Sequence, residues 1–243
     1  MNVVSIAGLS SSGKDATADI FVKHGYVKVS MADPLKRFCK DLWEFSDNQI
    51  FGPSKFRNIP DERYPTKYKY SVVKDIHGNV IEEVRQEPIE YLVPRMPLQK
   101  IGTDIFRMID PDVWARKAIN TAKALLAKDG SARTVQYTQS EGIFHAEDHE
   151  PYKGVVIADI RFINELKYVR DVGGITIRIK RPDAGLQGDF GKHISELEMQ
   201  NLFDDEFDFI INNNKSLKDL DKAVNIIVEQ IASNQKTQEE TSK

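Results

Sequence analysis

Short apolar runs recur along this chain, and the stretches between them carry apolar residues every third or fourth position. VVSIAG (3–8), YVKVS (26–30), GVVIAD (154–159), ITIRIKRP (175–182) and DFIINN (208–213) read as buried strands. Helical spacing marks 13–24, 32–45, 97–109, 112–128, 164–172 and 216–232, with a shorter helix in ISELEMQNLF. Ile20, Phe21 and His24 share one side of the first helix and Gly25 stops it, while Asp33 is the expected N-cap of the second, with Pro34 at its first position. Strand and helix alternate, which predicts an α/β fold: a mostly parallel sheet with helices on both faces in three layers.

Two regions break the alternation. Residues 46–94 are rich in Pro and basic residues, and 72–84 reads as a hairpin turning at His77-Gly78-Asn79. This stretch is too small for its own core and reads as a β-containing insertion in a single domain spanning 1–232. Residues 129–153 are polar and read as irregular. DAGLQGDFGK (183–192) has three glycines and no periodicity, the composition of a lid, and 233–243 reads as a disordered tail.

The first strand runs into GLSSSGKDAT (8–17). A strand, a glycine-rich turn and a helix start together make an anion site from backbone N–H groups and the helix dipole. Gly8, Gly13 and Lys14 match the phosphate-loop pattern, but Asp15 stands where a Ser or Thr hydroxyl normally meets magnesium. A carboxylate beside a triphosphate is repulsive unless a cation lies between them, so Asp15 either helps bind Mg²⁺ or simply favours the helix N-terminus. Thr17 offers a hydroxyl nearby.

Asp159 closes an apolar run at a strand's carboxyl end, where parallel sheets place ligands, and is the second candidate for magnesium. DIR (159–161) followed by Glu165 directs attention to Asp159 and Arg161 as neighbours in one cleft. Arg95, Arg107, Arg161 and Arg181 stand at predicted element ends, where a guanidinium suits bidentate phosphate recognition. Trp114 is a candidate to stack on a base, although most such rings belong to cores. His145 and His149 have helical spacing but no companion ligand.

Net charge of −3 gives no reason to expect nucleic-acid binding. The single Cys39 excludes an internal disulfide, and no apolar stretch has membrane-spanning length. These features predict a cytoplasmic protein without a membrane partner.

The chain resembles the phage-type deoxynucleoside monophosphate kinases nearly end to end. GLSSSGKDATAD is similar to that family's phosphate loop, Lys-Asp included, and ADPLK to its substrate helix, with Lys36. RMPLQKIGTDIFR followed by Trp114 resembles its monophosphate-binding segment, and ADIRFINE its Asp-x-Arg strand end with Glu165 beyond. IKRP and HISE resemble its lid flanks, and INNNKSL its C-terminal nucleotide contact.

The resemblance implies a P-loop kinase fold and transfer of the γ-phosphoryl of ATP, with Mg²⁺, to a deoxynucleoside 5′-monophosphate. Catalysis would fall to Lys14, Arg95 and Arg161. ATP would meet Gly8, Ser12, Gly13, Lys14, Asp15, Ala16, Thr17, Arg181 and Asn213. The monophosphate would meet Lys36, Arg95, Gly102, Thr103, Arg107, Trp114, Asp159, Arg161 and Glu165, with Asp15 and Asp159 as metal candidates. It places the protein in a host cytoplasm if the gene is a phage's, and leaves room for a homodimer. Phosphomevalonate kinases with a Gly-Lys-Asp loop and dephospho-CoA kinases are alternative relatives, and a nucleotide-binding regulator is a reading of another class.

Overall fold

The computed structural model describes residues 2–127, 134–146, 150–185 and 194–241. The chain forms two compact units, one made of 1–33 with 110–243 and the other of 34–109.

The first unit is built on a five-stranded parallel sheet in the order β2-β7-β1-β8-β9, where β1 is Val3–Ala7, β2 Tyr26–Val29, β7 Gly154–Ile160, β8 Ile175–Lys180 and β9 Phe209–Asn212. The strands are near-continuous apolar runs because both faces are covered. On one face Val3, Ala7, Val155 and Ile157 pack against Ala118, Ile119 and Ala122 of α6 (Val113–Leu126) and Leu166 and Val169 of α7 (Ile163–Asp171). On the other, Val4, Ile6, Val156 and Ile177 meet Ala18 and Phe21 of α1 (Lys14–Lys23) and Leu220, Val224 and Ile231 of α9 (Leu217–Thr241). Each fully buried Val, Leu, Ile or Phe side chain among these is worth about 1.5–3 kcal/mol. The expected three-layer α/β architecture is therefore present. Because α1 and α7 follow the adjacent strands β1 and β7 onto opposite faces, the crevice beyond the carboxyl ends of β1 and β7 is a topological switch point.

The second unit begins with α2 (Asp33–Trp43) beyond its first residue, followed by α3 (Asp47–Ile50) and a two-stranded antiparallel ribbon of β3 (Asp61–Lys74) and β4 (Val80–Leu92). A helical run closes it: α4 (Arg95–Gln99), a π-helical stretch Lys100–Ile105 and α5 (Phe106–Ile109). The insertion read at 46–94 is thus part of a larger body. Gly102 lies so close to Leu35 that a Cβ there would come within 2.5 Å of its Cδ2, and Phe38 meets Phe106 edge-on at 6.4 Å. The flanking helical segments pack with each other and so belong with the ribbon.

The ribbon turns where expected, with the Asp75 carboxylate accepting from His77 N and Asn79 N, and Gly78 at φ +84°. It is much longer than 72–84, because polar strands paired only to each other leave little hydrophobic signature. Residues read as irregular at 129–153 include a second hairpin, β5 (Thr134–Thr138) with β6 (Gly142–Ala146). The closing helix continues to Thr241 where a disordered tail was expected. Gln, Lys and Glu are good helix formers, and extending an existing helix needs no new nucleus. Asp33 is not an N-cap but lies inside the first turn, where its carboxylate reaches back to accept from Ser30 N at 2.9 Å. Most of the expected lid, from residue 186 onward, and His149 lie outside the described residues.

Candidate active site

β1 feeds the loop 8–13, and α1 starts at Lys14. Two glycines are required here by geometry. A Cβ at Gly8 would come within 2.5 Å of Ile179 O and 2.8 Å of Ser12 Oγ, while Gly13 adopts φ +107° and faces the Asn213 side chain. The loop is fastened from β9's end, where the buried Asn213 donates its Nδ2 to Ser12 O at 2.8 Å. Asn213, expected to touch ATP, therefore holds the loop that would do so.

Lys14 is half-buried, and its Nζ donates to Gly8 O and Leu9 O, both at 2.7 Å, so the ammonium is folded over the loop. Ser12 Oγ is buried with no hydrogen-bond partner among the described residues. An unanswered buried hydroxyl is costly, and at a binding loop it marks where a ligand atom belongs. A cavity of about 400 Å³ opens beside it, lined among others by Gly8, Leu9, Ile179, Arg181 and Met199. Gly185, at the start of the expected lid, donates its N–H to Ser10 O at 2.8 Å.

Thr17 is buried, and its Oγ1 donates to Gly13 O at 3.0 Å, which keeps it inside the helix start; Ala16 is half-buried beside the α1 core. Asp15 is exposed and pairs with Lys28 Nζ at 2.8 Å, which also meets Asp19 at 3.3 Å. Burial weakens the Lys28 ammonium, but the two carboxylates more than offset this and raise its pKa. Lys28, which no local motif marks, thus neutralises the acid that departs from the usual loop pattern.

At the end of β7 the pairing with β1 slips: Ser5 faces Ile157 but Ala7 faces Ile160, so one extra residue bulges from β7. Such a bulge re-aims a side chain next to a site. The half-buried Asp159 consequently turns to the β2–α2 turn, where Oδ1 accepts from Met31 N at 2.9 Å and Oδ2 from Ala32 N at 3.2 Å and from Ser30 Oγ. Asp15 and Asp159 are both engaged, and among the described residues no three His, Cys, Asp or Glu side chains gather to hold a metal.

Glu165 is buried, and its Oε2 accepts from Arg161 N at 2.8 Å and Phe162 N at 3.1 Å. It satisfies the open N–H groups at the start of α7, a role its spacing from Phe162 made readable. The Arg161 side chain is exposed, and the residue follows directly on the carboxyl end of β7. Arg181 is exposed and lines the cavity, whereas Trp114 packs partly against the α6–α7 side of the core. Arg178 and Lys180 were not singled out in the sequence, yet they tie Asp204 to β8 at 2.9 and 2.5 Å.

In the second unit, Lys36 lies in the first turn of α2 with its Nζ over the Phe51 ring. Arg95 donates Nε to Asn58 Oδ1 at 2.5 Å and Nη2 to Ser54 Oγ at 2.7 Å. Gly102 and Thr103 lie in the π-helical stretch and Arg107 just beyond it, all at least half-buried. Of the expected monophosphate set, the first unit thus holds Trp114, Asp159, Arg161 and Glu165, and the second the remaining five.

No helix among the described residues is long and apolar enough to cross a membrane. The chain is 27% identical over 222 residues, 90% of its own length and 92% of the other's, to a protein of Acanthamoeba polyphaga mimivirus with the provisional name deoxynucleotide monophosphate kinase. A dephospho-CoA kinase from Campylobacter jejuni is similar in structure, with a TM-score of 0.47 and 15% identity over 96% of this chain and 98% of that one. The model of the deoxynucleotide monophosphate kinase family matches residues 48–224, which begins after the phosphate loop. The loop, the parallel sheet and this match together lead to one statement: the chain belongs to the deoxynucleotide monophosphate kinase family and is a nucleotide kinase.

Proposed function

We propose that the enzyme transfers the γ-phosphoryl group of ATP to a deoxynucleoside 5′-monophosphate. The observation that carries this reading is the glycine loop with its unanswered Ser12 hydroxyl, beside a cavity of ligand size. Family membership supports the acceptor class. An acceptor oxygen attacks the γ-phosphorus, the bond to the β–γ bridging oxygen breaks, and ADP leaves. The acceptor needs no base, because a phosphate monoester loses its second proton near pH ~6. What remains is to hold two polyanions together.

Lys14 exchanges its two loop carbonyls for phosphate oxygens in this scheme, and Arg161 supplies an exposed planar fork for the acceptor phosphate. Lys36 and Arg37 place two cations in the first turn of α2, where the helix dipole disfavours them. An anion bound at that helix start compensates for this. Magnesium enters bound to the triphosphate as part of the substrate.

The test is an acceptor panel of deoxynucleoside and ribonucleoside monophosphates with MgATP, following ADP release and the phosphorylated product. At least one deoxynucleoside monophosphate should accelerate ADP release with equimolar diphosphate formation. ATP hydrolysis indifferent to every monophosphate would overturn the proposal.

A further inference from the structure

The turn Ser30–Asp33 is held by two carboxylates. Asp159 accepts from Ser30 Oγ, Met31 N and Ala32 N. Asp33, fully buried, accepts from Ser30 N at 2.9 Å and from the Tyr137 hydroxyl at 2.7 Å. Tyr137 is 8% exposed and stands on β5, in the stretch whose sequence suggested no structure. Two acids converging on one short turn repel each other, and an apolar turn would avoid the cost of burying Asp33. A network of this kind, when its members are satisfied, fixes one conformation. The turn lies at the carboxyl end of β2, beside β7 at the ligand-bearing edge of the sheet, and is the point from which α2 departs.

We infer that Tyr137, through its hydrogen bond to Asp33, is a positioning residue for the acceptor, shaping the β2–α2 turn without itself touching substrate. This rests on the reading of the acceptor as a nucleoside monophosphate. Tyr137→Phe removes one hydroxyl and leaves the ring in the core. The buried Asp33 then has one donor fewer.

The experiment compares wild type, Tyr137→Phe, Asp33→Asn and the double variant, each with a melting curve. The wild type is first run on the acceptor panel. In Tyr137→Phe, KM for the accepted monophosphate should rise about five-fold while KM for MgATP stays the same, as loss of one charge-assisted bond implies. Amide exchange at Met31 and Ala32 should quicken with that of the phosphate loop unchanged. The double variant should be no worse than the poorer single one, because both remove the same bond. If Asp33→Asn does not fold, Tyr137→Phe carries the test alone. An unchanged monophosphate KM in Tyr137→Phe, or an equal rise in both KM values, overturns the inference. Failure of the wild type to phosphorylate any monophosphate overturns the functional reading instead, before any variant is compared.

Discussion

One carboxylate from each unit, Asp61 and Asp159, is satisfied in opposite ways. In 34–109, Asp61 is buried at the start of β3 and takes a two-pronged hydrogen bond from Arg63, with Nε at 2.9 Å and Nη2 at 2.7 Å, and a further one from Gln49. The guanidinium, working against burial, holds this carboxyl down to about 2. In the sheet unit, Asp159 is met by two backbone N–H groups and a hydroxyl, all uncharged. Asp61 is fastened by its own cation, whereas Asp159 takes only neutral donors. The same contrast separates Arg63, spent on Asp61, from the exposed Arg161, and the unanswered Ser12 hydroxyl belongs wholly to the sheet unit. Incomplete satisfaction, more than residue type, is what distinguishes the site here from the scaffold.

The strongest test of this contrast is Lys14→Ala. Transfer should fall by about 10²–10³-fold, as when one stabiliser of developing charge is removed. Because Lys14 also braces two loop carbonyls, the melting temperature should drop by the equivalent of about 1 kcal/mol. Turnover near that of the wild type would break the assignment of the loop.

Asp159→Asn is expected to come next, at about 10-fold in kcat/KM, since an amide presents one donor where the turn supplies only donors. A fall in stability with unchanged kinetics of the folded enzyme would make Asp159 a fastening like Asp61 and erase the contrast.

Asp61→Asn should do the reverse, costing about 2 kcal/mol of stability while kinetic constants of the folded fraction hold. It has a pH signature. Asp61's pKa is depressed on folding from an ordinary value near ~3.9, so its contribution is complete above pH ~4 and lost as pH falls from there towards about 2. Melting curves across this window should fall less steeply in Asp61→Asn than in the wild type.

The smallest effect should come from Gly78→Ala at the ribbon tip. Nothing lies within 4 Å of the added methyl, so only the left-handed backbone is strained, by about 1 kcal/mol, with no kinetic consequence. A kinetic effect would show that the ribbon takes part in the reaction.

The central strands, the phosphate loop and the helices of the sheet unit were readable because they depend on local pattern. Val3–Ala7 and Gly154–Ile160 are apolar but for Ser5 and Asp159, and a glycine loop after a strand announces its chemistry wherever it occurs. Asp159 was readable as a candidate but not as an anchor. Its partner Ser30 stands 129 positions away, and the bulge that aims it exists only through pairing with β1. Lys28 beside Asp15, Asn58 beside Arg95 and Tyr137 beside Asp33 were invisible for the same reason. Periodicity along a chain reports which face of an element is buried, since that depends on near neighbours. Which polar group answers which depends on how distant segments are brought together, and only the packed fold contains that information.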